Sequence, residues 1–188
     1  ITDAGTTDLD ATSGVTLEAW IKASEDDWNN SKQTIMSKWT PGSTGFSDAD
    51  NWTVFDGNDV DAASEGMRGA VFDGRYVYFP SHYAAGAPGG YNGHITRYDT
   101  TKDFATVSSW TVFDTIAVDA DARNFSGGVF DGRYIYFAPF YSTVTAVNSH
   151  VTRYDTQADF STVSSWTVFD ANSVDQDAEG FEGAVFDG

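Results

Sequence analysis

The sequence predicts an all-β protein assembled from repeated four-stranded antiparallel sheets. Three observations predict this class. Short motifs recur along the chain with a period of 58 and then 56 residues. The motifs are rich in Val, Ile, Phe, Tyr and Trp, which favour strands. One motif also places Asp-Gly between two apolar runs, which is a signal for a β-hairpin.

The first two strands of each unit come from the motif VFDGRY followed by VYF or IYF. It begins at Val71 and Val129, and its first four residues return at Val185. We expect strands at 71–72 and 76–79, joined at Asp73-Gly74 by a type I′ turn in which both residues have positive φ.

The third strand is predicted from HITRYDT at His94 and HVTRYDT at His150. The fourth is predicted from WTVFD, which occurs three times, each time six residues after a Phe. The three Phe/Trp pairs are Phe46/Trp52, Phe104/Trp110 and Phe160/Trp166.

The spacing of the motifs is nearly constant. Each Trp lies 19 residues before the next VFDG. The two periods differ in length in one segment, which runs from Tyr83 to His94 in the first unit and from Tyr141 to His150 in the second. One variable loop on a fixed frame is typical of stacked repeats.

Both faces of the predicted strands are apolar, with Tyr76 and Tyr78 on one side and Val77 and Phe79 on the other. Such strands belong to sheets packed between sheets, and four-stranded repeats of this length indicate the blades of a β-propeller. We assign residues 46–188 to blades: a fourth strand at 46–56, units at 66–114 and 124–170, and the first strand of a next unit at 180–188.

The VFDGRY and TRYDT motifs resemble a family of kelch-like blade repeats over residues 46 to 188. The resemblance implies a propeller used for binding or as a scaffold, with no catalytic residues to carry over.

Residues 1–45 form a separate predicted segment, in which no copy of the repeat is expected before Phe46. The stretch TLEAWIKA, from Thr16, and QTIMSKW, from Gln33, predict two strands. The pair resembles the opening of laminin-G/concanavalin-like jelly-roll domains, which implies a partial domain of a kind common in extracellular carbohydrate-binding proteins.

The composition argues against several classes of function. The net charge of −18 repels phosphates, so no nucleic-acid partner is expected. No apolar run approaches the length of a membrane span, so no membrane insertion is expected. The chain has no cysteine and no nucleophile or zinc motif, and we do not expect an enzyme.

Three tyrosines are the candidate ligand-binding residues, because aromatic faces stack on sugar rings. They lie in or beside the variable loop: Tyr83, Tyr91 and Tyr141. The alternative is that these rings fill the space between blades.

The acidic loops after the fourth strands are candidates for calcium, which prefers clustered carboxylate oxygens. Asp175, Asp177 and Glu179 stand at alternating positions in one such loop. The alternative is a solvated acidic loop, and the Asp that ends each WTVFD motif is expected to cap a turn. No other cofactor is expected.

Repeated polar residues favour structural roles over catalysis, because they recur with the fold. This applies to His94 and His150 at the start of the third strand, and to the pairs Arg75/Asp99 and Arg133/Asp155, for which we expect ion pairs between strands.

The sequence therefore predicts a non-catalytic extracellular or surface module that binds glycans or another surface protein. One alternative is a structural subunit of a filament, sheath or viral appendage, at a cell or virion surface, assembled through blade edges. A weaker alternative is an accessory region of a large secreted glycan-active enzyme. We expect the sheet edges to pair with further repeats or with other copies of the chain.

Overall fold

The repeated motifs form two four-stranded antiparallel sheets, as the predicted all-β class requires. The structure, a computed structural model, describes residues 35–39, 49–83, 90, 92–143 and 146–188. The helical segments among them are single 3₁₀ turns of three residues.

The strands follow the motif order of the sequence. In the first sheet they are β3 (Val71–Phe72), β4 (Tyr76–Pro80), β5 (His94–Asp99) and β6 (Trp110–Asp114). In the second sheet they are β7 (Phe125–Phe130), β8 (Tyr134–Pro139), β11 (His150–Asp155) and β12 (Trp166–Asp170). Each sheet is a meander in which strands neighbouring in sequence pair.

Two smaller strand pairs flank these sheets. Near the N-terminus, β1 (Ile35–Trp39) pairs with β2 (Trp52–Asp56). Inside the variable loop of the second unit, β9 (Tyr141–Thr143) pairs with β10 (Ala146–Val147), a hairpin that the sequence analysis did not predict. Residues 180–188 lie in no strand, in contrast to the prediction of a first strand there.

The hairpin between the first two strands differs from the predicted type I′ turn. Phe72 pairs with Val77, and the Asp73 N–H donates to the Tyr76 carbonyl, so Gly74 and Arg75 are the two loop residues. Gly74 has a φ of 104° and Asp73 does not have positive φ. Glycine at the first central position is the preference of type II′ turns.

Asp73 instead fixes the turn through its side chain. Its carboxylate accepts hydrogen bonds from the backbone N–H groups of Arg75 and Tyr76 and from the hydroxyl of Tyr78. The Asp of the motif is therefore a hydrogen-bond acceptor that stabilises the hairpin.

The repeated Arg and Asp form the predicted ion pairs, although each Arg lies in the hairpin loop rather than in a strand. The guanidinium of Arg75 contacts the Asp99 carboxylate at 2.8 Å, and Arg133 contacts Asp155 at the same distance. The hydrogen bond from Arg75 holds the pKa of Asp99 well below its usual range. These pairs link the hairpin to the third strand at the turn end of each sheet.

The first sheet is covered on both faces, as the alternation of its apolar residues predicted. Val77 and Phe79 belong to a core cluster with Phe55 of β2, and Tyr78 belongs to a second cluster shared with the second sheet. The sheets are thus stacked face to face.

The same ring contact joins each sheet to the one before it. Phe55 stacks on Trp110 at a centroid distance of 4.5 Å, and Phe113 stacks on Trp166 at 4.7 Å, with interplanar angles of 5° and 8°. The WTVFD motif therefore supplies both partners. Its Trp stacks on the Phe of the preceding unit, and its Phe stacks on the Trp of the following unit.

In the two units with four described strands, the Phe six residues before the Trp also has a defined role. The indole N–H donates to the carbonyl of that Phe at 2.9 Å in both units, Phe104 with Trp110 and Phe160 with Trp166. This hydrogen bond satisfies the buried donor that a Trp brings into a core.

The strand β1 confirms the strand predicted from Gln33, but its pairing differs from the expectation for the N-terminal segment. It pairs with β2 in the register in which β5 pairs with β6: Met36 opposes Phe55 as Ile95 opposes Phe113, and Trp39 opposes Trp52. Residues 35–39 thus take the place of a third strand of the repeat, so the expectation that no copy precedes Phe46 is wrong here. The strand predicted from Thr16 onward lies outside the described residues.

Candidate functional site

The variable loops and the acidic loops meet at one end of the two sheets, which we call the loop end. The described parts of the connections between the second and third strands lie there (81–83, 90, 92–93, 140–143 and 146–149), and residues 57–66 and 115–124 leave the fourth strands at the same end. The Asp-Gly hairpins lie at the other end of the sheets.

Each acidic loop begins with a capped turn. The carboxylates of Asp56, Asp114 and Asp170 accept hydrogen bonds from the backbone N–H two residues later, at the start of a 3₁₀ turn. This confirms the capping role predicted for these three residues.

Two buried asparagines fasten the variable loops to the acidic loop of the preceding unit. The Asn92 amide donates to the Ala63 carbonyl, and the Asn148 amide donates to the carbonyls of Asp121 and Arg123. The oxygen of each amide accepts the backbone N–H of the following His. The sequence analysis missed this pair, although an Asn stands two residues before the repeated His in both units.

An aromatic patch, formed by the rings of His82, Phe140 and Tyr141, lies at the loop end, and Tyr83 follows His82 in the chain. The ring of Tyr141 packs edge-on against Phe140 at 4.1 Å, and the ring of His82 lies 5.8 Å from the same Phe. The variable loops of the two units therefore meet here, and Tyr83 is 46% exposed.

Of the three predicted binding tyrosines, Tyr141 belongs to this patch, Tyr83 is the neighbour of His82 in the chain, and Tyr91 lies outside the described residues. Tyr141 is partly buried. Phe140 and His82 were not predicted. Their signal in the sequence is position, because each directly precedes one of the equivalent residues Tyr83 and Tyr141.

The patch carries a cation at its side and a neutral imidazole. The guanidinium carbon of Arg68 lies 5.9 Å from the Phe140 centroid. Burial lowers the pKa of His82 to about 4, and the nearby Arg68 adds to this shift. His82 is therefore uncharged at neutral pH and acts as a further ring of the patch.

A second group at the loop end combines acids with a histidine. Asp119, Asp121 and His150 each place one ligand atom within 4.8 Å of the others. The Nδ1 atom of His150 lies 3.2 Å from the Asn148 oxygen, and its Nε2 atom lies 4.0 Å from Asp119. One carboxylate oxygen of Asp121 also pairs with Arg123 at 3.0 Å.

The predicted calcium residues are in a different place. Asp175, Asp177 and Glu179 are exposed, and the Asp175 carboxylate accepts the backbone N–H of Asp177. Asp119 and Asp61 make the same hydrogen bond in their own loops, which is a turn contact. Among the described residues, the acids that gather with a His are Asp119 and Asp121, because the second sheet brings His150 to them.

The first unit has a reduced version of this group. The Nε2 atom of His94 lies 3.6 Å from Asp61, and Ala63 stands where the second unit has Asp121. The repeated His therefore faces the acidic loop of the preceding unit in both cases.

Comparisons with known proteins found no matching family model and no curated relative. In the part of the chain that the structure describes, no helix is long or apolar enough to span a bilayer.

Proposed function

We propose that this chain is a non-catalytic binding module built from propeller blades, located outside the cell or at a cell or virion surface, that recognises glycans through the aromatic patch. The observation that carries the proposal is the meeting of the variable loops of two units at the aromatic patch. His82 contacts Phe140, which packs against Tyr141, and Tyr83, the next residue after His82, is 46% exposed.

The chemistry of the patch supports a carbohydrate ligand. Aromatic faces stack on the C–H faces of sugars, and the tyrosine hydroxyl groups add polar contacts. The net charge of −18 and the acidic loops at the same end favour neutral sugars over anionic ones. The neutral His82 adds no positive charge, so Arg68 is the cation that the described patch offers against the surrounding acids.

A glycan array with the wild-type protein and the double variant Tyr83→Ala/Tyr141→Ala tests this proposal. We expect the variant to lose binding at least tenfold, because two stacking rings of roughly 1 kcal/mol or more each are removed. The loss of Tyr83 should change thermal unfolding little, since this residue is exposed. Tyr141→Ala is also measured on its own, because this ring is partly buried against Phe140 and its loss should lower the unfolding midpoint.

The matched control is Tyr83→Phe/Tyr141→Phe, which keeps both rings and should keep most of the binding. The proposal is wrong if the wild-type protein binds no glycan, or if the alanine variant binds as well as the wild type.

A second candidate function is a structural subunit that assembles with further units. Phe169 supports it, because this large apolar side chain is 54% exposed on the outermost strand of the second sheet. An accessory role beside a secreted glycan-active enzyme is compatible with glycan binding and needs no additional residue of this chain.

A further inference from the structure

The second sheet has an outer face, directed away from the first sheet, that repeats the residues of a buried interface. Tyr136 pairs with Val129 on one side and with Arg153 on the other, and Val151 pairs with Phe169. Directly opposed residues share a face of a sheet. The outer face consists of Val129, Tyr134, Tyr136, Val151, Arg153 and Phe169.

The equivalent face of the first sheet is covered by the second sheet. Tyr78 and Ile95 are fully buried there, and Phe113 is 8% exposed. Their counterparts in the outer face are partly buried at Tyr136 and Val151 and 54% exposed at Phe169. Equivalent side chains are thus buried in the first unit and partly or largely exposed in the second.

The covered interface shows which groups this face fits. Phe113 stacks on Trp166, and Tyr78 contacts the rings of Tyr154 and Phe160 at 5.8 and 5.9 Å. The partner of a face with this composition therefore presents a Tyr, a Phe and a Trp that correspond to Tyr154, Phe160 and Trp166 of the second unit.

The arginine of the outer face also calls for an aromatic ring from the partner. The guanidinium of Arg97 lies 4.2 Å from the ring of Tyr76 in its own sheet and 4.2 Å from Phe160 in the following sheet. Arg153 lies 4.4 Å from Tyr134, which is the first half of this sandwich. A Phe of the partner would supply the second ring.

We propose that the outer face binds one further blade of this same repeat, seated as the second sheet is seated on the first. Its Trp would stack on Phe169, and the Phe six residues earlier would cover Arg153. The area is apolar and is made of the same residue types that form the existing interface, so this partner fits better than a polar or charged one.

The backbone that follows the fourth strand of the second sheet makes the same hydrogen bonds as the backbone that joins the first sheet to the second. The N–H groups of Gly180 and Phe181 donate to the carbonyls of Asn148 and Pro139 at 3.0 and 2.9 Å. One unit earlier, the N–H groups of Asn124 and Phe125 donate to Asn92 and Ser81 in the same way. Residues 180–188 thus leave the second sheet as residues 124–132 leave the first.

Extending the chain by one period tests the proposal. A second copy of residues 133–188 is placed after Gly188, which completes the VFDG motif at 185–188 with the strand that follows it in the other units. We expect a higher unfolding midpoint in urea and in heat, a single transition, and added β-sheet signal in circular dichroism.

Phe169→Ala is then compared in the two proteins. It should leave the midpoint of the original chain unchanged and lower that of the extended chain, because only there does a Trp cover the ring. Phe72→Ala is the matched control: Phe72 is equally exposed, at 54%, lies outside the outer face, and should have the same effect in both proteins.

Three results would overturn the proposal. In the first, the added residues give no β-sheet signal or unfold in a separate transition. In the second, Phe169→Ala is silent in the extended chain as well. In the third, the original chain forms a dimer, by light scattering across a hundredfold dilution, that Phe169→Ala abolishes, which would make a second copy of the chain the partner.

Discussion

At the scale of single residues, the tryptophan that opens each fourth strand organises the core. Trp166 stacks on Phe113 of the first sheet and contacts Phe137, Tyr154 and Phe160 of its own unit. Trp110 makes the equivalent set of contacts one unit earlier. The spacing of Trp and Phe is strict because one hydrogen bond, from the indole to the Phe carbonyl, depends on it.

His82 gives a prediction at this scale. Its pKa is about 4 in the folded protein and about 6.5 in the unfolded chain. Above pH 6.5 both states are neutral at this site. As the pH falls from 6.5 toward 4, the unfolded chain takes up a proton that the folded protein does not, so stability is lost over this window.

We expect His82 to reduce the free energy of unfolding by about 1 kcal/mol between pH 7.5 and pH 5, because solvent screening at this partly exposed ring reduces the full effect of its pKa shift. The measurement is urea unfolding at both pH values for the wild type and for His82→Gln, which cannot titrate. The difference between the two pH values should be smaller in the variant by that amount. Equal differences in both proteins would show that His82 is not shielded from water.

At the scale of elements, the strands of the two sheets were predictable from the sequence. The type of the hairpin turn and the place of β1 in the repeat were not. The strands of each unit follow from alternating apolar residues and from the Asp-Gly signal at Asp73, and all eight of the two sheets are present. The turn type was wrong, because Asp73 uses its side chain to hold the hairpin and leaves positive φ to Gly74.

The strand β1 shows why a short degenerate copy escapes detection. Ile35–Trp39 shares with His94–Asp99 only an apolar residue, a hydroxyl residue, a base and an aromatic residue in order. Such a pattern is common in any half-buried strand. The pairing register with β2 reveals the relation, because register depends on long-range hydrogen bonds.

Only part of the loop end was predicted, because the contacts there join residues that are distant in the sequence. Tyr83 and Tyr141 were found because each stands beside the one segment that varies in length. The approach of His82 to Phe140 and of Asp119 to His150 joins residues of different units, and no spacing within one unit contains that information.

The hairpin glycine supplies a prediction for the element. Gly132 has a φ of 102°, and a Cβ atom placed on it would meet nothing within 4 Å. Gly132→Ala should therefore cost only the backbone strain, about 1 kcal/mol in the free energy of unfolding.

Gly132→Asn is the matched variant, because Asn tolerates positive φ better than Ala, and it should cost less. Both are measured by urea denaturation. A larger loss for Asn than for Ala would mean that contacts, rather than φ, require the glycine.

At the scale of the whole molecule, the sheets are stacked through one repeated aromatic interface. The second sheet covers Tyr78, Ile95 and Phe113, and each lies directly between the two sheets. The contact is large and apolar, so the two sheets are expected to unfold together.

Phe113→Ala tests this coupling. Removing the buried ring should cost about 3–5 kcal/mol, while Phe169→Ala, the same change at the equivalent exposed position, should cost less than about 0.5 kcal/mol. Fluorescence and near-ultraviolet circular dichroism should give coincident transitions in urea. Separate transitions in the wild type would contradict coupling, and equal costs for the two variants would contradict the assigned interface.

The stacking of Phe on Trp has a consequence for the gene. Because the WTVFD motif supplies one partner to each side, an in-frame gain or loss of one whole period of codons brings an equivalent Phe and Trp together at the new junction. Slippage between two repeats during DNA replication or recombination would therefore change the number of units and keep this stacking contact. Changes in copy number should accumulate faster in such a gene than insertions within a period, and length variation should be confined to the loop between the second and third strands.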